Sequence, residues 1–344
     1  PITNVNIESA LSLIIKTDTA GKADIGTFKQ EDEIWFIHPN YMVRRFSYAK
    51  LVEMNFMVTL AENSYSLGEI VVSANKFNEK LSEVGQSIRV VNIKEISFLN
   101  QQTTPDLLQS SGNVFVQKSQ MGGGSPVIRG FETNKVLMVV DGVRMNNAIY
   151  RSGHLQNSLT LDNNVLERLE IILGPGSVIY GSDALGGVMH FYSKYPKLSD
   201  NDTLEIQTRL LARYASANNA KTTHLDFNFG LKKFAALSSL SFSNFGDLMQ
   251  GGRRDPQYPD FGKRLFYVDR INDQDVVLPN SNPNLQKKSG YRQYDFLQKF
   301  LYRQNDVVNH VLNFQYSTSS DIPRYDRLTQ IKNDAPQYAE WFYG

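Results

Sequence analysis

The chemically capable side chains of this sequence are few, because its 344 residues include no cysteine. Thiolate zinc sites, disulfide frameworks and cysteine nucleophiles are excluded in one step. Five histidines remain, His38, His154, His190, His224 and His310. None belongs to a His-Glu-x-x-His pair, and there is no Gly-x-Ser-x-Gly elbow. Paired carboxylates occur, but charges lining a folded interior account for them as well as hydrolysis does. No catalytic residue and no free-standing metal site is therefore expected. The one sharper candidate is His154, in Tyr150-Arg151-Ser152-Gly153-His154-Leu155. A neutral imidazole is able to ligate a metal; the plainer alternative is a histidine that hydrogen-bonds within its own domain.

Two glycine-rich runs invite a phosphate-cradle reading. Gly122-Gly123-Gly124 lacks the Walker lysine, and in Gly174-Pro175-Gly176 the third glycine of a dinucleotide loop is misplaced and Pro175 interrupts. The runs read better as corners. Glu167-Arg168-Leu169-Glu170-Ile171-Ile172 is a charged-then-apolar strand entering the Gly174-Pro175-Gly176 corner, and Tyr180-Gly181 through Gly186-Gly187 make a second one. Val136-Leu137-Met138-Val139-Val140 reads as a buried strand with its turn at Asp141-Gly142. Residues 93–96 and 104–109 read as short helices, with Thr104 as the cap and Pro105 at the first helical position.

Charge is balanced, 36 Lys+Arg against 35 Asp+Glu, so nothing argues for nucleic-acid binding. No run of about 18 apolar residues exists, which excludes a membrane-spanning helix; the 17 tyrosines and 20 phenylalanines suit a girdled β-protein instead. No signal peptide is visible at Pro1, so it has been removed or the chain begins inside a longer protein.

From residue 203 the pattern alternates. Leu204, Ile206, Thr208, Leu210, Ala212 and Tyr214 interleave with mostly polar neighbours, and Leu225, Phe227 and Phe229 interleave with His224, Asp226 and Asn228. Counting Leu240 and Phe242, then Tyr294 to Tyr302, then Leu312 to Tyr316, five strands are expected. Tight links at Lys232-Lys233 and Gln304-Asn305-Asp306 contrast with a long one over residues 245–290. Short turns at one end and long loops at the other are the habit of outer-membrane barrels.

The run from Glu167 to Val188, together with Ile128-Arg129-Gly130-Phe131 and Val140-Asp141-Gly142-Val143-Arg144, resembles the signature of the plug domain of TonB-dependent outer-membrane receptors. The matching positions are Arg129, Gly130, Asp141, Gly142, Glu167, Arg168, Gly174, Gly176, Tyr180, Gly181, Gly186 and Gly187. Strands near residues 12–15, 33–37 and 56–60, with turns at Thr17-Asp18-Thr19-Ala20-Gly21-Lys22 and His38-Pro39-Asn40-Tyr41, are similar to a carboxypeptidase regulatory-like domain with its opening strand cut short. Glu69, Ile70, Val71, Val72, Ser73 and Ala74 occupy the place of the TonB box, where the resemblance implies strand addition by an energised partner. The alternative is that they form the last strand of the preceding sandwich.

The fold class implied is mainly β. A small β-sandwich fills residues 1–68, a tether 69–76, and an α+β plug domain 77–195; residues 196–344 supply the first roughly five antiparallel strands of an incomplete outer-membrane β-barrel. Plugged transporters close at about 22 strands, and open edges in hydrocarbon cost several kcal/mol per unpaired group, so an open, curved sheet beside the plug is expected.

By resemblance, the cell outer membrane is the location, with the N-terminal domain and plug facing the periplasm. The partners implied are the TonB–ExbB–ExbD complex, membrane lipid and an iron-bearing ligand. No cofactor is resident: haem or a ferric chelate is cargo. The segment Gly153-His154-Leu155 is similar to the Gly-x-His-Leu of haem and haemoglobin receptors, whose histidine is an axial iron ligand, and Ser320-Asp321-Ile322-Pro323-Arg324-Tyr325 looks like the early barrel of that branch. Arg129, Arg144, Glu167, Arg168 and Glu170 are candidates for ion pairs holding plug to wall. Alternatives are a receptor for a non-iron nutrient and a surface adhesin built on β-domains. A signalling receptor would carry a βαβ extension, which residues 1–68 do not resemble.

Overall fold

The computed structural model describes residues 2–9, 14–30, 32–38, 41–60, 70–71, 79–80, 84–132, 135–145, 161–199, 203–305 and 307–343. The chain divides into two units, Pro1–Ile70 with Lys80–Ser82, and Val71–Glu79 with Glu83–Gly344.

The first unit is one antiparallel sheet of order β2-β1-β3-β4, with β1 at Asn6–Ser9, β2 at Ile14–Lys16, β3 at Glu33–His38 and β4 at Tyr41–Ser47. Asp18 builds the first turn: its Oδ1 accepts from the amides of Ala20 (2.9 Å) and Lys22 (2.8 Å). Ile7, Ile34 and Phe36 point from the sheet into a core closed by Leu51 of helix α1 (Tyr48–Glu53). Residues 56–60, expected as a strand, join no ladder. Asn55 and Phe56 take left-handed φ of 50° and 56°, and Phe56 N bonds Leu51 O at 2.8 Å. That closure spends the turn on ending the helix, and Val58 and Leu60 reach the core from an unpaired extended segment. A two-residue ladder pairs β5 (Ile70–Val71) with β6 (Glu79–Lys80).

The second unit opens with a mixed sheet of order β11-β10-β13-β12-β7: β7 at Ile88–Asn92, β10 at Val136–Val140, β11 at Val143–Arg144, β12 at Leu166–Ile172 and β13 at Gly187–Ser193. Every side chain of β10 is buried, because the sheet is covered on both faces. Met138, Leu169, Ile171 and Phe191 lie on one side with Leu107 and Leu108; Leu137, Val139, Val188 and Tyr180 lie on the other. Each such side chain contributes about 1.5–3 kcal/mol. Helix α2 (Ile93–Leu99) is capped by Asn92, which accepts from Lys94 N and Glu95 N. Helix α3 (Thr104–Ser110) is capped by Thr103, not by Thr104 as expected. Thr104 is buried at 1% exposure and its hydroxyl is engaged with Leu161 O and Asn163 Oδ1, so it cannot serve the helix end. The short β8 (Phe115–Gln117) and β9 (Ser125–Val127) form a hairpin packed on α3, and α4 (Ser177–Tyr180) follows the Gly174-Pro175-Gly176 corner.

The wall is a five-stranded antiparallel sheet: β14 Glu205–Ala215, β15 Ala220–Gly230, β16 Phe234–Phe245, and, after the long excursion, β21 Tyr291–Arg303 and β22 Asn309–Ser319. Within the excursion, β17 (Leu248–Met249) pairs β20 (Leu285–Gln286), and β18 (Phe266–Ile271) pairs β19 (Gln274–Pro279). Beyond β22 lie β23 (Ile322–Pro323), α5 (Tyr325–Leu328), the hairpin β24 (Ile331–Lys332) with β25 (Ala335–Pro336), and β26 (Phe342–Tyr343), which pairs β23.

The five expected wall strands are all present. Loop lengths alternate less strictly than expected, for the β14–β15 link at residues 216–219 is tight although it lies at the same end as the long excursion. Edge strands β14 and β22 each have one neighbour, so the barrel is not closed.

Two faces separate cleanly on the wall. Leu210, Leu225, Leu240, Phe296 and Tyr316 are Cα partners in one row across all five strands, on the outward face. Phe242 and Tyr294 pack with ring centres 4.9 Å apart near one end, and Phe234 stacks with Phe300 (6.3 Å) near the other. Eight residues separate Phe242 from Phe234, about 27 Å of strand, on the scale of an apolar band once strand tilt is applied. The inward face of β15 is Thr222, His224, Asp226 and Asn228, all buried, and that of β16 includes Ser239, Ser241 and Ser243.

Candidate functional site

What buries that polar face is the plug. The tight turn between β10 and β11 places Asp141 and Gly142 at φ of 47° and 85°, the pair of left-handed residues a two-residue hairpin needs. So aimed, Asp141 accepts from Ser193 N (2.9 Å) and Ser193 Oγ (2.5 Å) of β13. Its Oδ2 also meets Lys299 Nζ of β21 at 2.9 Å and Asn313 Nδ2 of β22 at 2.8 Å. Lys299 is 3% exposed. Removing one partner of such a pair strands the other charge, at about 3–5 kcal/mol.

A second knot lies on β15. Asp226 accepts from Ser239 Oγ (2.6 Å), from His224 Nε2 (2.9 Å) and from Lys194 Nζ, which arrives just after β13. His224 Nδ1 sits 2.6 Å from Ser241 Oγ, which donates to Asp162 of the plug. Arg213 of β14 donates to the carbonyls of Gln101 (2.7 Å) and Gln102 (3.3 Å), while Asn228 and Lys197 exchange two bonds at 2.8 and 2.9 Å. Apolar contact includes one buried patch, where Met121 of the plug meets Ala220, Phe245, Tyr291 and Ile322. The seam is therefore held mainly by polar groups with exchangeable partners.

Inside the plug, Glu170 and His190 are opposed on β12 and β13, and Glu170 is fully buried. Arg168 Nε bonds Glu170 Oε1 at 2.7 Å and its guanidinium lies 3.9 Å over the Tyr192 ring. His190 Nε2 accepts from Gly142 N at 3.1 Å, so neutral His190 carries its proton on Nδ1, facing the hydroxyls of Tyr192 (3.0 Å) and Tyr180 (3.2 Å). Burial drives His190 down to about 4, against the opposing pull of Glu170 and Asp141. Burial, aided by the Glu170 charge, pushes Tyr180 up to about 12 and Tyr192 higher still. Asp141, Arg168, His190, Tyr192, Lys299 and Asn313 face a cavity of about 860 Å³ between plug and wall.

The structure sorts the residues chosen from sequence. Arg168 and Glu170 pair within the plug, as do Arg144 and Asp183 at 2.6 Å, so neither pair reaches the wall. Arg129 and Glu167 are exposed and join no ion pair among the described residues. Arg129 and Gly130 instead form a tight left-handed turn (φ 50° and 83°) that brings Ile128 and Phe131 together. The charged wall contacts include Asp141, Asp162 and Lys194, whose partners lie far away in sequence. Gly187 is required by close approach: a Cβ there would stand 2.7 Å from Ile172 O. Gly174, Gly176, Gly181 and Gly186 shape the corners around α4. Tyr150, Arg151 and His154 lie outside the described residues, as do Glu69, Val72, Ser73 and Ala74; Ile70 and Val71 are the described part of the tether. No cluster of three or more metal-ligating side chains occurs among the described residues.

A small mixed domain bonded to the polar inner face of a strand wall whose outer face is apolar defines a plugged outer-membrane barrel. Residues 80–188 match the TonB-dependent receptor plug domain. The chain therefore carries the plug domain of TonB-dependent receptors, whose place is the cell outer membrane. It is 35% identical over 170 residues, 48% of its length, to the vitamin B12 transporter BtuB of Vibrio vulnificus, of which it covers 27%. A second Vibrio vulnificus BtuB is 40% identical over 124 residues, with 35% of this chain and 20% of the relative covered. The chain thus spans about a quarter of the length of these relatives. In fold it is similar to the pyoverdine receptor FpvA of Pseudomonas aeruginosa (TM-score 0.52, 14% identity, 77% of this chain and 32% of that one). It is also similar to the alcaligin receptor FauA of Bordetella pertussis (TM-score 0.50, 13% identity, 74% and 36%).

Proposed function

We propose that this chain supplies the plug and part of the wall of a receptor that imports a scarce, bulky nutrient, with an iron source, haem or a ferric siderophore, as cargo. The supporting observation is the polar seam: Asp141–Lys299, Asp162–Ser241–His224 and Lys194–Asp226 close the passage with contacts that water can replace. A passage so closed opens when work is done on the plug, without exposing a hydrophobic core. In this reading residues 69–74 are the strand that TonB, driven by ExbB and ExbD, pairs with and pulls. His154 is the axial ligand if haem is carried, with Tyr150 and Arg151 beside it; that role rests on the Gly-x-His-Leu resemblance.

A second reading has a corrinoid as cargo, favoured by the identity to vitamin B12 transporters. One experiment separates them. Haem and cyanocobalamin are titrated into the full protein and its His154→Ala variant in detergent, following the Soret and corrin bands. A Soret shift lost in the variant supports haem; no shift in either protein sinks it, and a corrin response carries the second reading. If deletion of residues 69–74 leaves energy-dependent uptake intact, TonB coupling through that segment fails, and the adhesin reading, which needs no energy coupling, regains ground.

A further inference from the structure

We propose that a cavity in the loops at the long-excursion end of the wall is a binding site for a small aromatic or otherwise apolar group bearing one carboxylate. The inference deepens the uptake reading by naming the ligand chemistry at this end of the wall. The cavity, about 220 Å³, lies between the start of β18, residues 286–288 and the α5–β25 segment. Its apolar walls include Phe266, Val268, Leu328 and Pro336. The size is below the about 300–1,000 Å³ of pockets that take drug-sized molecules, so it accommodates one ring with its acid group, not a whole chelate.

The charge balance at the cavity is uneven. Of its four cations, Lys263 is neutralised by Asp260 (2.7 Å) and Lys288 by Asp269 (2.6 Å). Arg264 and Lys287 have no carboxylate partner among the described residues. Arg264 Nε bonds the neutral Gln286 Oε1 at 2.7 Å, and Lys287 Nζ sits 4.0 Å over the Tyr267 ring. Burial lowers Arg264, with no nearby carboxylate to offset it. Asp334 is the single acid on the lining, and it is exposed at the rim. A half-buried guanidinium facing an apolar wall without a counter-ion is the arrangement that an incoming carboxylate relieves. The cavity is also placed to sense the plug, since α5 starts at Tyr325, whose hydroxyl donates to Lys118 O of the plug at 3.4 Å.

The test is the fluorine NMR line width of 4-fluorobenzoate added to the full protein in detergent, with 4-fluorobenzyl alcohol as the uncharged isostere. The expected result is saturable broadening of the acid, weakened about tenfold for the alcohol and for Arg264→Gln. Arg264→Lys should recover part of the affinity, and Arg253→Gln, an exposed cation of the same loop, should change nothing. Equal binding of acid and alcohol, unchanged binding by Arg264→Gln with Lys287→Gln, or broadening matched by empty micelles would each overturn the proposal. Displacement of the acid by inorganic phosphate at equal concentration would do so too, by reducing the site to a bare anion patch. Uptake measured in the residue 69–74 deletion fails or succeeds independently of this readout, so the two readings fall separately.

Discussion

Lys299 and Asp141 meet at 2.9 Å across the boundary between wall and plug, the lysine almost fully buried and the aspartate held from the other side by Ser193. The two differ by 158 positions in sequence (299 − 141). Their contact is a largely enclosed ion pair of the seam, and its removal should be asymmetric. Asp141→Ala leaves a buried ammonium without a counter-ion and is expected to cost about 3–5 kcal/mol. Lys299→Met removes the charge and keeps the stem, at a smaller cost, because Ser193 and Asn313 still satisfy Asp141. Thermal unfolding of both single variants and the double variant gives the coupling; a coupling of zero would mean that the pair does not hold the plug.

The His190 knot makes plug stability depend on pH. In the unfolded chain His190 titrates near 6.5, and in the fold near 4. The unfolded state therefore takes up a proton first as pH falls. Stability is full above about 6.5, declines between 6.5 and 4, and levels off below, by about 3 kcal/mol in all. Hydrogen exchange of plug amides at pH 7 and pH 5 should show the loss, and His190→Gln should flatten it. An unchanged slope in the variant would assign the effect to other groups.

Two glycines on either side of α4 should behave oppositely. Gly187→Ala drives a methyl against Ile172 O, a backbone atom that cannot move without shifting β12, and is expected to cost about 1–3 kcal/mol. Gly174→Ala meets nothing within 4 Å and should stay within about 0.5 kcal/mol of the parent. Chemical denaturation curves decide, and equal losses at both sites would refute the close-approach account of Gly187.

The outward face of the wall should reject charge according to depth. Leu240 lies in the central row of the outer face, and Leu240→Arg is expected to cost about 2–4 kcal/mol in bilayer stability. Lys221→Arg, near the end of the same face, should be neutral. Refolding into lipid vesicles, read by the mobility of unheated samples in gels, provides the comparison; equal tolerance at both positions would place the lipid boundary elsewhere.

Much of this was legible in the residues. Period-two alternation located all five wall strands, because one face must meet lipid and the other a polar interior. The apolar run of β10 and its Asp-Gly turn located the centre of the plug. Long-range pairing was not legible. Arg168 and Glu170 look like wall contacts in sequence, yet alternation puts both on one face of β12, where they pair with each other. Asp141, which is legible as a turn residue, turned out to be a wall contact. His224 and Asp226 carried a usable signal, since two ionisable groups on the inward face of a strand need buried polar partners, some of which the plug supplies through Lys194 and Asp162. The helix cap moved by one residue because Thr104 is drawn into a buried bond to Asn163, a demand set by tertiary structure alone.

The order of the plug strands carries a mechanical consequence. β7, the first plug strand after the tether, is at the rim of its sheet and is hydrogen-bonded to β12 alone. The Asp141 hairpin and its Lys299 anchor sit at the opposite rim. Under the proposed coupling, tension entering ahead of β7 would load a rim strand with a single neighbour, and the five residue pairs between β7 and β12 would peel one after another while the far rim stays fastened to the wall. If the plug is pulled from that side, it yields in sequence, like a hinged panel, and finds its way back along the half that never let go.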